Sequence, residues 1–136
     1  MPTAAIIGGG PSGLMAAEML LKQGLSVDLY EAKPSVGRKF LMAGKSGLNL
    51  THAENFDNFL NRFEKDQLKL APFIRHLPPA EIRKWVEDLG IETFEGTSQR
   101  IFPKVMKASP LLRNWLRRLE KLGLKIHMGL VVLCPQ

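Results

Sequence analysis

The stretch AAIIGGGPSGLMAAEML, residues 4–20, joins an apolar, β-prone run to an alanine- and leucine-rich run through three consecutive glycines. Glycine weakens strands and helices alike, so its use at this junction implies a need for backbone bare of side chains. Ala4 to Gly8 is predicted as a short buried strand. Ser12 to Gln23 is predicted as a helix with Leu14, Ala17, Leu20 and Leu21 on one face and Gly24 as its stop. The following LSVDLYE alternates, with Val27, Leu29 and Glu31 on one track. Strand, glycine turn, helix, glycine and strand make a βαβ unit of about 30 residues, and its right-handed crossover leaves the two strands parallel.

Gly8, Gly10 and Gly13 fit the pattern G-x-G-x-x-G, and Glu31 follows Gly13 by 18 positions at the end of the second strand. Each part has a physical task in holding a dinucleotide. Gly8 allows the tight turn, Gly10 removes a side chain where a pyrophosphate approaches, and Gly13 lets the helix pack closely on the strand. The helix start, with Pro11 and Ser12, turns free N–H groups and the positive dipole end toward phosphates. A carboxylate at Glu31, next to Ala32, accepts hydrogen bonds from ribose hydroxyls and repels a 2′-phosphate, so the site is expected to take FAD or NAD rather than NADP.

At 136 residues and 45% hydrophobic content the chain is the size of one domain, or part of one, and can bury a core without a structural metal. Cys134 is alone, and His52, His76 and His127 stand far apart with no ligand spacing, so no disulfide or metal site is expected. The apolar start lacks a basic leader segment and is cut by Gly8, Gly9, Gly10 and Pro11, which speaks against a signal peptide and for a cytoplasmic protein. No run approaches the roughly 20 apolar residues that span a bilayer. The net charge of +6 is compatible with nucleic acid or an anionic ligand, but no nucleic-acid-binding motif or basic tail accompanies it.

Downstream, Lys33 to Thr51 reads as a long functional loop with glycines at 37, 44 and 47 and basic residues at 33, 38, 39 and 45. Phe56, Phe59, Leu60 and Phe63 recur at helical spacing, as do Ile82, Trp85, Val86 and Leu89 between Pro78–Pro79 and Gly90, and these side chains are expected in the core. IETFEGTSQRIFP reads as a hairpin about Gly96. Ser109 is expected to cap a helix begun by Pro110, with Leu112, Trp115, Leu116, Leu119 and Leu122 inward and Arg113, Arg117, Arg118 and Lys121 outward. LKIHMGLVVL reads as a third strand.

The stretches IIGGGPSGLMAA, YEAKPSVGRKFLMAGKSGLNLTHAE and RIFPKVMKASPLLRNWLRRL resemble the N-terminal part of the bacterial BaiN/YhiN-type flavoproteins, over about Thr3 to His127. The resemblance implies an α/β fold: an incomplete Rossmann-like FAD-binding domain with parallel strands and an inserted helical and hairpin segment. On this reading residues 1–52 and 124–136 form the partial Rossmann-like domain, and residues 53–123 are a helical segment with a β-hairpin belonging to the same domain. It further implies FAD as cofactor, NAD(P)H as a possible electron donor, Arg38 and Lys39 beside the phosphates, and Ala43, Gly44, Lys45 and Ser46 near the flavin ring, with Lys45 lending it positive charge.

These flavoproteins are longer, with a further FAD segment and a substrate-side domain that have no counterpart here, and GLVVLCPQ departs from their pattern. The expected function is the FAD-binding portion of a flavin-dependent oxidoreductase, with no catalytic side chain assigned and the substrate unread. Two rival readings are a non-catalytic dinucleotide-binding module or inactive truncated product, and a nucleic-acid binder using the Arg113 to Lys125 face. An uncompleted sheet is expected to expose an edge, with Val131, Val132 and Leu133 lacking partners, and so to favour self-association.

Overall fold

A computed structural model of the chain describes residues 1–133, and they divide into two compact units. Met1–Ala43 and the chain from Ala108 onward form the first unit, and Gly44–Lys107 the second.

The first unit holds β1 (Thr3–Ile7), α1 (Pro11–Lys22), β2 (Ser26–Glu31), α2 (Arg38–Ala43), α6 (Ser109–Lys121) and β6 (Lys125–Met128). Its three strands form a parallel sheet in the order β1-β2-β6, with Ala4 opposite Val27, Ile6 opposite Leu29, and Leu29 opposite Ile126. Period-two alternation therefore puts Ala4, Ile6, Val27 and Leu29 on one face. Val27 and Leu29 are fully buried there, whereas Ile7 on the other face is exposed.

The predicted βαβ unit is present. α1 contacts both of its strands, burying Leu14, Ala17 and Leu21, and Gly24, at φ +84°, turns the chain out of the helix. A buried carboxylate joins α1 to α6. Glu18 accepts bonds from the Trp115 indole N–H at 2.8 Å, from Arg118 at 3.2 Å and from Lys22 at 2.5 Å. This cluster lies within the first unit, and the division from the second falls at 43/44 and 107/108.

α6 differs in detail from its expectation. Ser109 is its first residue, not its cap; Ala108 stands at the cap without a side-chain bond. Leu111 joins Leu112, Trp115 and Leu119 in the core, while Leu122 is exposed and Arg118 turns inward to Glu18. The last strand stops at Met128, because Gly129 adopts φ +74° and breaks the extended run. Val131, Val132 and Leu133 are exposed but lie outside any strand, and residues 134–136 of the expected terminal segment fall outside the described residues.

The second unit holds β3 (Thr51–His52), α3 (Phe56–Asn61), a 3-10 turn (Glu64–Asp66), α4 (Gln67–His76), α5 (Pro79–Asp88), β4 (Thr93–Glu95) and β5 (Arg100–Pro103). The predicted hairpin is β4–β5, closed by Gly96 and Gln99. Thr51–His52 adds a third antiparallel strand by pairing with Ile101 and Arg100. The stretch read as one loop from Lys33 to Thr51 thus contains α2 and ends in β3.

α3 begins at Asn55, whose side chain accepts the Asp57 N–H, and it stops at Asn61, short of Phe63. Leu60, Val86, Leu89, Ile91 and Ile101 form the core of this unit, with Phe56, Phe59, Phe63, Ile82 and Trp85 half-buried around it. No helix among the described residues is long and apolar enough to cross a membrane.

Candidate dinucleotide site

The chain leaves β1 through Gly8, which adopts φ +100°, a region that side chains disfavour. Gly8 N–H still donates to the Tyr30 carbonyl at 2.8 Å, so the turn remains fastened to β2. A Cβ on Gly13 would lie 2.0 Å from the Gly8 carbonyl oxygen, which explains why the first turn of α1 needs glycine to sit this close to the strand end.

Gly9 is the most tightly enclosed residue of the turn. A Cβ there would lie 2.4 Å from Val36 Cγ1 and 3.1 Å from Glu31 Oε2. Its N–H donates to Glu31 Oε2 at 2.7 Å, and its carbonyl accepts the Gly37 N–H at 2.7 Å. Gly10 is the opposite case: a Cβ would meet nothing within 4 Å. Its missing side chain leaves open space in front of α1.

Glu31 closes the arrangement from the end of β2. Its Oε1 accepts the Lys33 N–H at 2.8 Å while Oε2 accepts that of Gly9. These amides, Lys33 first and Gly9 second, hold the carboxyl below its usual pKa, so it is ionised at neutral pH. A carboxylate accepts at about four lone-pair positions, so two N–H donors leave capacity for a ligand's hydroxyls.

Gly9, Gly10 and Glu31 line one part of a cleft of about 330 Å³, and Lys33, Ser35, Gly37, Arg38 and Lys39 line the rest. Arg38 Nη1 donates to Ser35 Oγ at 3.3 Å. Three cationic residues thus line a space that reaches α1 at its N-cap, Gly10, and in the first turn of α1 the N–H groups of Ser12 and Gly13 have no intrahelical acceptor. A dinucleotide fits this chemistry: cations and amides for a pyrophosphate, an ionised carboxylate for ribose hydroxyls, and room where a side chain at Gly10 would project.

Of the residues singled out in the sequence, the structure brings Gly10, Glu31, Arg38 and Lys39 together in the cleft, with Gly8 and Gly13 shaping the turn. Pro11, Ser12 and Ala32 are exposed and do not line it. Ala43 ends α2, and Gly44, Lys45 and Ser46 form a turn in the second unit; none of the four lines the cleft. The sequence assigns no site role to Gly9 or Ser35, and Lys33 and Gly37 enter it only as part of the long functional loop. Gly9 occupies a free position of the glycine pattern, and only its contact with Val36 shows that it too must be glycine.

The fold recurs among known proteins. Among solved structures the chain is similar to THI4 of Thermovibrio ammonificans (21% identity, TM-score 0.58) and to the 3-ketosteroid-Δ4-(5α)-dehydrogenase of Rhodococcus jostii RHA1 (14% identity, TM-score 0.68). Each match covers 94% of this chain and 38% of the other, so the chain spans well under half the length of either protein. At these identities the likeness is one of fold. No curated protein sequence matches. Residues 2–133 match the HI0933-like protein Rossmann domain, and the chain belongs to that family.

Proposed function

We propose that this chain is the FAD-binding portion of a flavin-dependent oxidoreductase. The observation that carries the reading is Glu31, an ionised carboxylate fixed by two backbone amides beside the open space at Gly10, in a cleft otherwise lined by Lys33, Arg38 and Lys39. In this reading Glu31 orients the ribose of the adenosine half, the first-turn amides of α1 and the cations Arg38 and Lys39 hold the pyrophosphate, and Gly10 admits it. Bound FAD supplies a ring that exchanges hydride with NAD(P)H or with a substrate. The protein contributes position and electrostatics, and no side chain is assigned as acid or base.

The same reading places the protein in the cytoplasm, which a single cysteine in 136 residues supports. It also includes self-association through the free edge of β1, a strand that pairs only with β2 among the described strands and carries no charged residue. The test of the cofactor assignment is to load the chain with FAD, remove free ligand, and add NADH or NADPH without oxygen. Retained flavin that bleaches on reduction supports an oxidoreductase. Retained flavin that neither nucleotide reduces favours a binding module.

A further inference from the structure

A second cavity, of about 320 Å³, lies within the second unit, where β3, the N-terminal end of α5 and β5 meet. Its size falls at the small end of the roughly 300–1,000 Å³ typical of small-molecule sites. Phe56, Pro78, Pro79 and Ile101 supply apolar walls, and the Phe56 ring lies under the Arg75 guanidinium at 5.8 Å from its centroid. Flat, rigid walls of this kind favour a planar ligand.

Four charged or polar side chains also line the cavity: Thr51, His52, Glu54 and Arg83. The Glu54 N–H donates to His52 Nδ1 at 3.3 Å, and Glu54 Oε1 lies 3.4 Å from the same nitrogen, so Glu54 holds the imidazole by its Nδ1 side and leaves Nε2 without a protein partner among these contacts. Glu54 itself is taken up by Arg62, whose Nε and Nη2 grip its two oxygens in a fork. Arg83 uses its Nε on Thr93 Oγ1 at 2.9 Å and Glu87 Oε1 at 3.2 Å. Its terminal nitrogens bond none of these partners. The cavity's one carboxylate is therefore paired with Arg62, and Arg83, held at its Nε by Thr93 and Glu87, keeps its terminal N–H groups for a ligand.

We propose that this cavity is a binding site for a small planar carboxylate, its ring between Phe56 and the two prolines and its carboxylate on Arg83 and His52. The site is separate from the glycine-turn cleft and does not depend on the cofactor reading. A guanidinium with free terminal N–H groups selects an anion over a neutral isostere, and apolar walls select a ring over inorganic anions.

The test uses the full chain with 2-naphthoate as probe and 2-naphthalenemethanol as its neutral counterpart, followed by calorimetry and by amide chemical shifts. Saturable naphthoate binding is expected, with shifts centred on Thr51–Glu54 and Ala80–Arg83. Affinity for the alcohol is expected to be weaker by about tenfold or more, the value of a charge-assisted hydrogen bond. His52→Phe and Ala80→Phe, the second chosen to fill the cavity without touching a polar group, should each weaken naphthoate binding while keeping the wild-type amide spectrum elsewhere. Equal binding of the alcohol, absence of saturation in the folded chain, or displacement of naphthoate by FAD would each overturn the proposal. Retention of FAD in the glycine-turn cleft is scored separately, by flavin absorbance, so its failure leaves this test intact.

Discussion

The carboxylate of Glu18 and the indole of Trp115, ninety-seven residues apart, meet in a fully buried hydrogen bond of 2.8 Å. The bond bridges the sequence interval occupied by the second unit and joins the first helix of the Rossmann-like unit to its last. Arg118 and Lys22 also pair with the carboxylate. Removing the carboxylate leaves a buried indole N–H and a half-buried guanidinium without it.

Glu18→Ala is therefore expected to destabilise the chain by about 3–5 kcal/mol, the usual consequence of breaking a buried charged cluster by removing one partner. Trp115→Phe, which keeps an apolar ring and leaves Glu18 with Arg118 and Lys22, should cost less, about 1–3 kcal/mol. Urea unfolding followed by circular dichroism measures both. Equal stability of Glu18→Ala and wild type would show that the cluster does not hold α1 to α6.

The glycines of the turn divide into two kinds. Gly13→Ala drives a methyl group to 2.0 Å from the Gly8 carbonyl oxygen and should destabilise the chain by about 1–3 kcal/mol or more. Gly10→Ala meets no protein atom within 4 Å and should melt within a few degrees of wild type. The melting midpoints of the two variants decide this, and the reverse order would mean that the turn is built differently.

The pH response of Glu31 follows from its two amide donors. Its folded-state pKa lies below the ordinary 4.5, so the carboxylate contributes stability that is fully present above that value and is lost as pH falls through the folded value. From about pH 5 to 8 its charge is constant, and FAD retention should not change on its account. In Glu31→Gln the stability loss below about pH 4.5 should be shallower than in wild type. Parallel acid-unfolding curves for the two proteins would contradict this.

The free edge of β1 presents unpaired backbone groups beside Ile7, whose side chain is 61% exposed. Concentrated wild-type protein should elute above monomer mass in light-scattering chromatography. Ile7→Lys, which puts a charge on this edge, should return it to monomer. A monomeric wild type at all concentrations would remove the proposal of self-association through this edge.

The parts of the fold legible in the sequence are those with local causes. The βαβ unit shows because an apolar β1 and an alternating β2 are separated by an amphipathic helix, and the hairpin shows because two β-prone arms flank Gly96. What stayed hidden depends on long-range pairing. Thr51–His52 is too short to signal a strand and becomes one only by pairing with β5. Glu18 looks like a surface residue until Trp115 arrives from the far end of the chain. The same division runs through the site: Glu31 and the glycine pattern are readable by spacing, whereas Lys33 and Ser35 enter the cleft only through the path of the loop between β2 and α2.

The central claim is that the cleft between the glycine turn and Glu31 holds FAD, and the most direct measurement is the dissociation constant of FAD for wild type, Gly10→Val and Glu31→Ala, followed by flavin fluorescence. The account predicts saturable binding to the wild type and a loss of about tenfold or more in each variant, with Gly10→Val retaining its fold because it replaces a hydrogen facing open space. Equal affinity in all three proteins, or no binding by a folded wild type, would contradict it.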